Sequence, residues 1–145
     1  MRRIQRDVCH EEFVKNLTTG ETAPFKEIWR LLLFAASIGV RDGQRRPLDK
    51  VDSGKAMPDT YFSTPGWRGF LYLLGITASN SSDCLRSTTE AQDALVTAFE
   101  EHANYGLFLL SNRLKSSPSQ LDELISMLIE ANRQEAAKPN VEDLI

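Results

Sequence analysis

Phe25 to Leu48 reads FKEIWRLLLFAASIGVRDGQRRPL, an apolar block that runs directly into an arginine-rich turn. Phe25, Ile28, Trp29, Leu32, Ala35 and Ala36 recur at the i, i+3, i+4, i+7 spacing of a helix with one core-facing side. Leu31, Leu33, Phe34 and Ile38 widen that stripe almost all the way round, which predicts a central helix packed on several sides. Pro24 suits its first position, because a missing N–H costs nothing there, and Gly39 is the expected C-cap.

Upstream, residues 7–18 (DVCHEEFVKNLT) predict a short first helix capped by Asp7, with Glu11 and Glu12 at the positive end of its dipole. Downstream, residues 40–57 hold Asp42-Gly43 and Pro47 punctuation and few apolar side chains. They predict a long basic loop, a feature that inside a compact domain is usually functional or mobile. Pro58 to Phe62 predict a single turn presenting Tyr61 and Phe62 to the core. A third helix is expected over residues 65–77, with Thr64 as N-cap and an apolar face of Trp67, Phe70, Leu71, Leu74 and Ile76.

A fourth helix is expected from Thr89 to Leu114, with Gly106 as a bend. Ser117-Pro-Ser-Gln120 matches a capping box opening a last helix, whose Leu121, Leu124, Ile125, Leu128 and Ile129 predict a core face ending near Ala137. No segment alternates with period two. The expectation is an all-α fold: a compact bundle of about five helices in one domain, residues 1–138, followed by an acidic tail at 139–145.

At 145 residues, with 41% hydrophobic and 26% charged side chains, the chain can bury a real core and is not disordered as a whole. Its net charge of -3 argues against a general polyanion binder. The charge is uneven: residues 1–55 carry 11 Lys+Arg against 8 Asp+Glu, and residues 56–145 carry 6 against 12. Two cysteines make no disulfide framework, acidic residues occupy the place of a signal sequence's apolar core, and no apolar run approaches membrane-spanning length. Together these predict a cytoplasmic protein with no membrane association.

The strongest candidate chemistry is phosphate contact through Arg41, Arg45, Arg46, Lys50 and Lys55, since guanidinium forks match phosphate oxygens. Arg68, at the start of the third helix, adds a second candidate anion site. The plainer alternative is a solvated loop in which Asp42, Asp49 and Asp52 satisfy these cations internally. Cys9, His10, Cys84 and His102 lack metal-site spacing, so no metal and no cofactor is expected. Glu11-Glu12, Glu100-Glu101 and Asp122-Glu123 read as exposed acidic helix faces, with no partner base nearby. No nucleophile elbow, P-loop, H-E-x-x-H or dinucleotide fingerprint occurs, and no catalytic residue is assigned.

The block from Pro24 to Leu48 resembles the small proteins encoded beside bacterial DNA phosphorothioation (dnd) clusters, in particular dnd system-associated protein four. The features that carry the likeness are the F-A-A-x-x-G helix end at Phe34–Gly39, the G-x-R-R-x-P-L-like turn at Gly43–Leu48, and the Trp67–Leu74 helix. The resemblance implies a non-enzymatic accessory protein of a phosphorothioation-dependent modification or restriction system. Its partners would be other proteins of that complex, which it joins as a protein–protein adaptor. The alternative is a DNA-backbone-binding subunit working through the Arg41–Lys50 loop, and a small nuclease is a more distant third. The oligomeric state is left open.

Overall fold

The computed structural model describes residues 1–63 and 66–137. Among these the fold is all-α, with helices α1 (Glu11–Thr18), α2 (Ile28–Asp42), α3 (Thr60–Ser63), α4 (Arg68–Ser79), α5 (Thr89–Leu114) and α6 (Gln120–Ala137). Short 3-10 turns at Val8–His10, Ser53–Lys55 and Ser82–Leu85 join them. The described chain divides into two units, Met1–Ser111 and a second beginning at Asn112.

In the first unit α2 is the central helix: Trp29, Leu31, Leu32, Ala35, Ala36 and Ile38 are all buried. It begins at Ile28 rather than Pro24, because the Phe25 N–H donates to the Leu17 carbonyl (3.1 Å) and holds that link extended. Glu27 then occupies the N-cap, its carboxylate accepting from Trp29 Nε1 (2.7 Å) and Arg30 Nε (3.1 Å). The helix runs through Gly39 to Asp42, and Gly43, at φ +62°, is the true C-cap. The Gly43 N–H reaches the Val40 carbonyl and the Gln44 N–H the Gly39 carbonyl.

What occupies Gly39 is a neighbouring backbone. A Cβ there would lie 2.5 Å from the His102 carbonyl oxygen, and one on Gly106 would collide with the Ala35 carbonyl. The expected bend at Gly106 is therefore a different feature: α5 is a continuous helix from 89 to 114, and the glycine lets α2 and α5 touch backbone to backbone. Trp29, Phe62 and Phe99 form an edge-to-face run with ring centroids 5.9 and 5.2 Å apart. Each such contact adds about 0.5–1.5 kcal/mol beyond area burial.

The third expected helix is α4, which starts three residues later than predicted. The proposed cap at Thr64 and Pro65 lies outside the described residues. Leu71 and Leu74 face the core, but Trp67 and Ile76 are exposed, so only part of the expected apolar face is buried. In α3, Phe62 is buried and Tyr61 is not.

In the second unit, α6 begins at Gln120 and its cap is Ser119, whose Oγ accepts from the Asp122 N–H (3.4 Å); Ser117 instead donates to the Ser119 carbonyl. Arg113 ties this unit together by binding Glu123 (2.5 Å) and Glu130 (2.6 Å). Leu124 and Met127 are buried, but Leu121, Ile125, Leu128 and Ile129, expected in the core, are exposed. The acidic tail at 139–145 lies outside the described residues.

Candidate functional site

The segment after α2 is laced to two other parts of the first unit. On one side it meets the N-terminal residues through antiparallel bridges, Asp7 with Val51 and Ile4 with Met57. Ile4 and Met57 exchange both N–H···O bonds at 2.7 Å. Asp7 is the fastener, because its carboxylate accepts from the Cys9 N–H (3.0 Å), as the sequence predicts for a cap, and also from the Asp49 N–H (2.7 Å). Burial alone would raise its pKa, but these backbone donors outweigh burial and hold the carboxyl below the usual range.

On the other side the segment meets α5. The Arg46 N–H donates to the Glu101 carbonyl (3.0 Å), and Asn104 Nδ2 donates to the carbonyls of Arg46 (3.0 Å) and Pro47 (3.2 Å). Beside Asn104 lies His10. Both it and His102 are buried, and burial lowers both imidazole pKa values. His102 Nδ1 lies 2.7 Å from the Ala98 carbonyl, a distance that assigns the proton to that nitrogen.

Three of the candidate cations fall along one side of α5, at Glu101, Tyr105 and Phe108, which are spaced i, i+4, i+7. Arg45 Nε binds Glu101 (2.8 Å), and the Arg46 guanidinium lies over the Phe108 ring (4.0 Å to the centroid). Arg41 Nε binds Asp42 (2.8 Å), whose other oxygen accepts from the Tyr105 hydroxyl (3.1 Å). The Arg41 pairing first, with Tyr105 adding to it, keeps the Asp42 carboxyl below its ordinary range. Lys50 is exposed and makes no ion pair among the described residues.

The remaining two cations sit elsewhere. Lys55 Nζ lies 3.4 Å from Glu11, which also pairs with Arg6, and Arg68 binds Asp59 at 2.7 Å. Of the six predicted residues three are thus brought to one side of α5, and four have a carboxylate partner.

Glu100 and Glu101 do not form an exposed acidic face. Glu100 is buried, accepting from Arg2 (2.6 and 3.0 Å) and from the Gln5 N–H (2.8 Å), while Glu101 takes Arg45. The signal for this was the paired charge at the two ends of the first unit, Arg2 and Glu100, but their separation of 98 residues hides it from any local pattern. Among the described residues no three His, Cys, Asp or Glu side chains gather as a metal site, and no helix is long and apolar enough to cross a membrane.

A second surface consists of residues that the sequence reading expected in the core. On α6, Leu121 (53% exposed), Ile125 (46%), Leu128 (56%) and Ile129 (48%) are spaced i, i+4, i+7, i+8 and form one apolar stripe, with Asp122 exposed beside it. The spacing was legible, but which side of the helix would be covered was not.

No curated protein and no solved structure matches the chain. A family model does match, over residues 3–145, and it covers the α2 end, the segment laced to α5, and α6 alike. The chain belongs to the DNA sulphur modification system-associated protein 4 family.

Proposed function

We propose that this protein is a non-enzymatic adaptor within its DNA sulphur modification system, and that it docks another protein of the system on the apolar side of α6. The observation that carries this reading is the stripe of Leu121, Ile125, Leu128 and Ile129, each about half exposed. Fully burying one such side chain stabilises by about 1.5–3 kcal/mol, so covering four half-exposed ones yields roughly 3–6 kcal/mol. An amphipathic partner helix laid along the stripe is the fitting occupant. The acidic excess of residues 56–145 and the exposed Asp122 favour basic residues flanking that helix's apolar face.

The test is reconstitution with the purified proteins of the same modification system, read by biolayer interferometry. The Ile125→Glu/Leu128→Glu variant should lose binding to one of them while keeping the wild-type melting curve. Equal binding by variant and wild type would place the contact elsewhere, and no binding to any component would end the adaptor reading.

A second reading, DNA-backbone contact, is favoured by one specific feature. The ion pairs of Arg41 and Arg45 run through Nε, so the terminal amino groups of two guanidinium forks on one side of α5 stay outside those bonds. Arg46, Lys50, Lys55 and Arg68 would extend the contact. Fluorescence anisotropy with plain and phosphorothioated duplexes tests it. Backbone binding would weaken steeply with salt and disappear in a variant carrying alanine at positions 41, 45 and 46. Absence of binding by the wild type at low salt would sink it.

A further inference from the structure

The first unit contains a cavity of about 470 Å³ between the end of α1, the start of α2, the Ser53–Lys55 turn and α3. That size lies within the roughly 300–1,000 Å³ typical of small-ligand pockets. Its apolar lining includes buried Trp29 and Met57, with Tyr61 half exposed beside them. Its cationic lining is Arg6, Lys26 and Lys55. The one carboxylate lining it, Glu27, is occupied by Trp29 Nε1 (2.7 Å) and Arg30 Nε (3.1 Å), and Lys26 makes no ion pair among the described residues.

Arg6 is fixed in place. Its side chain is only 10% exposed, it pairs with Glu11 at 2.7 Å, and it donates to the Lys55 carbonyl at 2.9 Å. The Glu11 pair runs through Nε, and Nη2 lies 3.2 Å from the other Glu11 oxygen, so the guanidinium forms a fixed part of the cavity wall, and Lys55 Nζ lies 3.4 Å from the same carboxylate. An apolar, aromatic floor with convergent cations suits a ligand that is flat and apolar at one end and doubly negative at the other.

We infer that this cavity binds a nucleoside phosphate, the phosphate held by Lys26 and Lys55 beside the fixed Arg6 and the base packed against Tyr61. The same chemistry is offered by a free mononucleotide and by the phosphorylated end of a nucleic-acid strand. This site is separate from α6 and from the arginines along α5, so its failure would leave the adaptor reading untouched.

Isothermal titration calorimetry on the full chain tests it, with AMP, adenosine, inorganic phosphate and a 5′-phosphorylated tetradeoxyadenylate as probes. AMP or the oligonucleotide should bind saturably, and about tenfold or more tighter than adenosine or phosphate alone. Lys26→Glu should weaken that binding about tenfold through lost charge-assisted bonds. Tyr61→Ala should weaken it about tenfold through lost stacking while sparing inorganic phosphate. Lys26 and Tyr61 are both exposed, so circular dichroism should show both variants folded.

Tighter AMP binding with this residue dependence identifies a free nucleotide as the ligand, and tighter oligonucleotide binding identifies a strand end. The inference is overturned if neither binds, if neither variant alters binding, or if phosphate alone matches the affinity of AMP.

Discussion

The segment around Arg41–Lys50 and the helix α6 have opposite relations to their surroundings. The segment is rich in charge and glycine, the composition of a free loop, yet its backbone is held by Asp7, Glu101 and Asn104, and its guanidiniums by Asp42, Glu101 and the Phe108 ring. Helix α6 is amphipathic, the composition of a core element, yet Leu121, Ile125, Leu128 and Ile129 stay exposed. Polarity along a chain is therefore a poor guide to which part is committed to the fold and which is available to a partner. A buried carboxylate with backbone donors can fasten a polar segment, and an amphipathic helix can keep an apolar stripe exposed.

The contrast can be broken hardest at the crossing of α2 and α5, which anchors the floor on which the segment lies. Gly106→Leu would drive a side chain into the Ala35 carbonyl. The helices would have to separate, at a cost of about 3 kcal/mol or more. Urea denaturation should show this as a large fall in midpoint, and a midpoint near wild type would mean that the crossing is looser than described.

Next in size is Asp7→Ala, which strands the N–H groups of Cys9 and Asp49. It should cost about 1–3 kcal/mol and accelerate amide hydrogen exchange at Asp49 more than in α4. If exchange at Asp49 is unchanged, the segment is held by α5 alone.

The pH dependence sharpens the same point. Both histidines have folded pKa values below their ordinary 6.5, because burial penalises the imidazolium. Above that value both states are neutral and the histidines add no slope. As pH falls below it the unfolded chain takes up protons first, so stability should decline between the unfolded and folded values. Thermal melts from pH 7.5 to 5 should show the decline, and His10→Gln should flatten it. A curve that stays level over this range would contradict the burial of both rings.

The smallest effects belong to the surface. Ile125→Glu/Leu128→Glu should leave folding stability within about 0.5 kcal/mol, since both side chains are exposed, even as it removes partner binding. Arg45→Ala should likewise shift stability by less than about 1 kcal/mol, because a part-exposed ion pair is weak. A large thermal penalty from the α6 variant would show that the stripe is covered within the folded chain and would invert the comparison.

Periodicity alone determined much of this protein. The helical spacing through Ile28–Ile38 and the helix spanning Thr89 to Leu114 follow from side-chain repeats, because a helix's bonds are local and its buried side recurs every three or four residues. Asp7 as a cap was legible for the same reason, since the N–H it accepts from lies two residues away.

Contacts between distant parts of the chain were decided by the tertiary structure. Gly39 and Gly106 resemble helix punctuation until another helix's backbone is seen against them. Glu100 resembles a surface acid until Arg2, 98 residues away, is found beside it. The side of α6 left uncovered depends on which neighbours reach it, and hydrophobic spacing records only that a helix has an apolar side. Local bonding is written into neighbouring residues, whereas close approach, charge pairing and coverage depend on pairs the folded chain brings together.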